Sequence, residues 1–209
     1  APSAAQRAYL DAERAEFSEN WSGIPAKLDR AFDTDECYAV NWASTIAGIF
    51  GWADAVSAHY QRMMRCDPLS SNYVAMLGQF LLWAGQPDAV IELSNHFIDT
   101  VRFQAWVDDI RFFALLANGE YRNNPDVIES NPEGSFFQLP RRFYVHAFEN
   151  DIAGAREIFE SSKSESNYDD ESFLIAEALM GNREAANAHA GKMDARFGGP
   201  FILAEVVKG

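Results

Sequence analysis

Three glycines at one fixed interval constrain this chain more than any other feature of its sequence. Gly51-Trp52-Ala53-Asp54-Ala55-Val56 aligns with Gly85-Gln86-Pro87-Asp88-Ala89-Val90, matching Gly, Asp, Ala and Val in register at an offset of 34. One further step of 34 lands on Gly119, in Ala117-Asn118-Gly119-Glu120-Tyr121. A period of this length marks a repeat architecture, in which one supersecondary unit stacks on the next. The segments between the glycines read as helices. Val74, Leu77, Gly78, Leu81 and Leu82 recur at i, i+3, i+4, i+7 and i+8, an apolar stripe at helical spacing. Val90, Leu93, Ser94 and Phe97 continue such a stripe after the turn, and Val56, Tyr60, Met63 and Met64 precede it. Asp67-Pro68 stops that earlier helix, because proline has no N–H to donate. Each unit is therefore helix, short turn, helix, with a turn glycine that can take the left-handed conformation of a helix C-cap.

The period and the phrase from Gly51 to Gly85 resemble the tetratricopeptide repeat. Val74, Leu77, Gly78 and Leu81 stand where that motif has its first-helix large and small residues. Tyr60 and Pro68 stand at its second-helix aromatic and its closing proline. Val56 and Val90 occupy a small-residue position usually held by alanine, and Arg102 stands where a second closing proline would fall. Cys66-Asp67-Pro68-Leu69-Ser70, followed by Leu77-Gly78 and Ala84-Gly85, is similar to the repeats appended to bacterial signalling regulators. The resemblance covers residues 37–119, with degenerate repeats in 1–36 and 120–209. It implies an all-α fold, a right-handed α-solenoid of stacked antiparallel helix pairs with about five to six units, forming a single domain over residues 1–209.

Outside the regular repeats the pattern loosens. Composition predicts a helix over residues 4–19, a turn over 18–23, and a helix over 24–32 with Pro25 near its first turn. After Gly119, Pro125 and Pro132 leave room for only about a turn or two of helix. Further helices are expected over 136–148 and 153–161, around a turn at Asn150-Asp151, and over 171–180 and 183–196, around Gly181-Asn182. The last two turns are 31 apart, so a change of superhelical pitch is expected after Gly119. Phe201, Ile202, Leu203, Ala204, Val206 and Val207 form a stretch apolar on nearly all sides. A terminal repeat needs a polar outer face, so this end is expected to be covered by further chain or by a second copy in a homodimer.

The net charge of −14 argues against nucleic acid and against an anionic membrane surface as partners, because both require a basic footprint. No stretch approaches the ~20 apolar residues of a membrane-spanning helix. Catalytic patterns are missing. The chain has no phosphate-binding glycine loop, no Gly-x-Ser-x-Gly and no His-Glu-x-x-His. His59, His96, His146 and His189 are scattered without a partner at i+4, which reads as surface or helix-end placement and implies neither metal nor cofactor. Asp108-Asp109 and Asp169-Asp170 could in principle hold a cation, but neighbours on a helix point about 100° apart, and Asp169-Asp170 reads as a helix cap. Arg141-Arg142 reads as a solvated helix face, and Asn20-Trp21-Ser22 is a glycosylation-type triplet too short to be diagnostic. Cys37 and Cys66 match no metal or redox spacing and are expected at the same end of one helix pair. Buried free thiols are the expected state, and a Cα separation beyond ~7 Å would exclude a bond.

The resemblance implies that first helices line a concave groove. Carried over residue by residue, the lining comprises Tyr38, Asn41 and Thr45, then Asn72, Ala75, Gln79 and Trp83, then Trp106, Asp109, Phe113 and Leu116. Members of the family that clamp a carboxylate use basic residues there. Here those places hold Asn41, Trp106, Asp109 and Ile110, so no clamp is expected. What remains is an aromatic and polar groove, or aromatics that pack on one another where the stack closes. The function expected is a protein–protein interaction or regulatory scaffold module, not an enzyme, binding a peptide or partner domain. The alternative is a sensor that takes a small ligand in an aromatic pocket.

Overall fold

The computed structural model describes residues 2–17, 24–37, 53–97, 104–130, 138–163 and 168–197. The described residues are helical and contain no strand. They comprise α1 (Ala4–Phe17), α2 (Ile24–Phe32), α3 (Ala53–Cys66), α4 (Ser71–Trp83), α5 (Pro87–Phe97), α6 (Gln104–Asn118), a 3-10 turn (Glu120–Asn123), α7 (Pro125–Glu129), α8 (Arg141–Phe148), α9 (Ile152–Lys163), α10 (Asp170–Leu179) and α11 (Arg183–Phe197). The chain divides into two compact units, Ala1–Asn118 and Gly119–Gly209.

In the first unit, α1 packs on α2, α3 on α4, and α5 on α6, while α4 also lies against both α5 and α6. The apolar stripes read from the sequence are the faces that make these contacts. Val56, Tyr60, Leu77 and Phe80 join Tyr9, Ala12, Leu28 and Ala31 in one buried cluster. The Tyr60 and Phe80 rings stack with centroids 5.5 Å apart. Val74 and Val107 form a second cluster, flanked by Met64, Leu93 and Phe97. At the crossing of α4 and α6 the backbones come close. A Cβ on Gly78 would sit 2.6 Å from Ile110 Cγ2, closer than such atoms approach, so the small residue is dictated by this contact.

The turns repeat one chemistry. Gly85 has φ +71°, its N–H donates to the Leu82 carbonyl, and the next N–H, of Gln86, donates to Leu81. This doubled closure uses the orphan carbonyls at the end of α4, and Pro87 then opens α5 with the fixed φ of a first helical turn. Asn150, at φ 60°, closes α8 in the same way, with Asn150 N–H bonding Ala147 and Asp151 N–H bonding His146. Asparagine tolerates that region better than other non-glycine residues, and Asp151 then caps α9 by accepting from Gly154 N–H. Gly119 and Gly181 share the left-handed φ. The turn at Gly51 lies outside the described residues.

Several expectations are corrected. The helix expected over 136–148 begins only at Arg141, because Gln138-Leu139-Pro140 is non-helical and proline disfavours helix in the residue before it. Arg141 is not solvated. It is 4% exposed, and its guanidinium donates to the Val127 carbonyl at 2.9 Å and to Ser130 Oγ at 2.6 Å, closing the end of α7. Only Arg142 faces solvent, paired with Glu129. The cysteines are neither free nor buried. Cys37 and Cys66 form a disulfide with Cα atoms 5.9 Å apart, and both residues are exposed. The apolar stretch Phe201, Ile202, Leu203, Ala204, Val206 and Val207, and the triplet Asn20-Trp21-Ser22, lie outside the described residues.

Candidate interaction surface

Trp83 and Trp106 reach the surface from neighbouring helices of the first unit. Trp83 is the last residue of α4 and is 43% exposed, while Trp106 lies in the first turn of α6 and is 38% exposed. The same helices bury Phe80 at 0% and Phe112 at 1% exposure. Trp83 leans edge-on against Phe80, 5.2 Å between centroids, and Phe113 lies edge-on to Phe112 at 5.0 Å. The Trp83 ring is therefore braced by the buried Phe80, which holds it in place without covering it.

The register of α4 and α6 fixes the spacing of the two indoles. Gly78 faces Ile110, and Asn118 at the end of α6 bonds Asp88 in the first turn of α5, just beyond the end of α4. The two helices thus run in the same direction. Trp83 is five residues past Gly78 and Trp106 four before Ile110, which puts them about 13 Å apart along the helix axes. No single small ring can touch both.

Of the other candidates, Asn72, Gln79 and Phe113 are half-buried on the same helices. Asp109 is 2% exposed and so sits within the packing, like Ala75 and Leu116. Tyr38, Asn41 and Thr45 lie outside the described residues. Sequence spacing assigns a residue to a helix face, but it does not say how closely the next helix approaches that face, and this approach is what buries Asp109.

The histidines divide between core and helix ends. His59, expected at a surface or helix end, is 1% exposed, 5.1 Å from the Phe32 ring and 2.6 Å from Arg62 Nη2. Burial, and then the Arg62 charge, push it down to about 4, so it is neutral at physiological pH. His146 Nδ1 lies 2.7 Å from Asp151, and His189 Nδ1 lies 3.0 Å from Asp170. Both carboxylates are held below their ordinary range, Asp151 first by the Gly154 N–H and Asp170 first by His189. These pairs resemble acid–base dyads, but each carboxylate also occupies the opening of a helix, a structural post. Asp169 caps α10 by accepting the Ser172 N–H, and Gln138 bonds both its backbone and its carboxylate. Among the described residues, no three His, Cys, Asp or Glu side chains converge as metal ligands, and no helix is long and apolar enough to cross a membrane.

No protein-family profile, curated protein or solved structure matches the chain.

Proposed function

We propose that this chain is a protein-binding scaffold of tetratricopeptide type, a right-handed α-solenoid whose concave face takes an extended peptide across α4 and α6. The observation that carries the reading is the pair of solvent-facing indoles, Trp83 and Trp106, the exposed large apolar side chains of α4 and α6. The packing of α4 against α3, α5 and α6 together supports the stacking, because a first helix in such a stack meets its own partner, the second helix of the preceding unit and the first helix of the next. Rigid aromatics half open to water are favoured interface anchors, since they bring large apolar area at little entropic cost. An extended chain advances ~3.3 Å per residue, so a spacing of about 13 Å fits two apolar side chains four residues apart. With no basic residue at the clamp positions, recognition rests on side chains, assisted by Asn72 and Gln79, and not on a terminal carboxylate.

The test is selection from a random peptide library on the full chain, repeated on Trp83→Ala and Trp106→Ala. Enriched peptides carrying paired apolar residues, weakened about 30-fold or more by either substitution at an unchanged melting temperature, would support the assignment. Enrichment that is indifferent to both substitutions would refute it.

A further inference from the structure

The Cys37–Cys66 bond joins two exposed residues of the first unit, and the exposed charges beside it are mostly acidic. Asp35 and Glu36 immediately precede Cys37, and Asp67 immediately follows Cys66, all three exposed. The cations on the adjoining helix are Arg65, which is exposed, and Arg62, whose guanidinium is turned inward to the Phe32 carbonyl and His59. Asp67 acts beyond its own loop: after burial, its charge is the second cause that raises the Tyr73 phenol above its ordinary value. The Cys66 sulfur also lies 3.5 Å from the Arg62 carbonyl, an acceptor waiting for a thiol proton if the bond opens.

We infer that Cys37–Cys66 is a thiol–disulfide exchange site that selects its reductant by charge, admitting neutral and cationic thiols and excluding anionic ones. The attacking species is a thiolate. It bonds one cysteine sulfur, and the S–S electron pair leaves on the other cysteine, which takes a proton from water. A second reagent thiolate then attacks the mixed disulfide and releases the remaining cysteine, so two electrons pass from two thiols to one cystine. Exposure makes both sulfurs reachable. The local charge decides which thiol arrives, because a unit charge about 7 Å away in water changes an encounter roughly threefold, and three exposed carboxylates stand against the exposed Arg65 and the inward-turned Arg62. An anionic thiol of the glutathione class is thereby kept out, whereas a dithiol protein with a basic or neutral approach surface is not.

The test uses the native full chain with thioglycolate, 2-mercaptoethanol and cysteamine, reading released thiols by alkylation and mass spectrometry. The comparison protein is Asp35→Asn/Glu36→Gln/Asp67→Asn, in which intrinsic reagent reactivities are unchanged. At ~0.01 M salt the ratio of cysteamine to thioglycolate rates should be about tenfold or more greater for the native chain than for the variant, and the two should converge at ~1 M, where charges are screened within a few ångströms. Equal ratios in the two proteins would overturn the inference, as would a bond that none of the three reagents opens. If the variant does not fold, the native protein decides alone, and a ratio that does not respond to salt refutes the selection.

Discussion

Replacing both cysteines, Cys37→Ser with Cys66→Ser, should loosen the first unit and leave the second untouched. The bond closes a loop across a sequence separation of 29. In the chain-entropy account a loop of that length restricts the unfolded chain by about 12 cal/mol/K, which amounts to about 3.6 kcal/mol at 25 °C. The unit covers residues 1–118, for which the unfolding entropy is about 0.25 kcal/mol/K, so the midpoint should fall by about 10–15 °C. A convenient assay follows from composition, because all five tryptophans (Trp21, Trp42, Trp52, Trp83 and Trp106) lie in this unit and none in the other. Indole fluorescence therefore follows the first unit alone, while far-ultraviolet circular dichroism follows both. The double variant should show an early fluorescence transition and a circular dichroism trace whose later part is unchanged. A fluorescence midpoint within about 2 °C of the native value would refute the reasoning, because it would mean that the bond closes a loop already closed by packing.

Acid should weaken the same unit through His59. Its folded value of about 4 lies below the ordinary 6.5, so the unfolded chain binds the extra proton first; stability is full above pH ~6.5 and falls by up to about 3 kcal/mol as the pH drops toward 4. Denaturant titrations across that window should show the loss, and His59→Phe should abolish it. Gly78→Ala should cost about 1–3 kcal/mol by driving a methyl into Ile110, and Ile110→Ala should relieve part of that cost when combined with it. Arg141→Met should destabilise the second unit by about 2–3 kcal/mol, seen by circular dichroism with no change in indole fluorescence, because the Val127 carbonyl loses a charged donor.

The helices and their turns were legible because their causes are local. The stripe at Val74, Leu77 and Leu81, the stop at Asp67-Pro68 and the left-handed residues at Gly85, Asn150 and Gly181 each depend on side chains within one turn of the backbone they shape. The reciprocal cap at the start of α1, where Ser3 and Gln6 exchange side-chain and backbone bonds, is equally local, and Ser-x-x-Gln is its signature. The disulfide was half legible. Counting residues from a turn predicts Cys37 and Cys66 at one end of a helix pair, but whether their side chains meet depends on the directions in which they point, which the count does not supply. Burial of His59, Asp109 and Arg141 was illegible for a related reason. Each is polar, so pattern assigns it to water, and only the approach of a second element (α2 over His59, α7 over Arg141) takes it out. Of the candidate surface, the helices that carry Trp83 and Trp106 are legible, whereas the exposure of the two indoles and their separation depend on how α4 and α6 pack at the Gly78–Ile110 crossing.

The doubled closures at Gly85, Asn150 and Gly181 bear on the order in which the protein is made. Each joins two helices using bonds that reach no farther than five residues, with a left-handed residue ending one helix and the next helix beginning almost at once. Such a joint needs nothing from downstream chain. As the polypeptide leaves the ribosome, α4 and α5 have everything required to fold back on each other before α6 is synthesised, and α10 and α11 can do the same at the other end. Pairing of α4 with α5 can thus precede the contact of α4 with α6, which must wait for later chain.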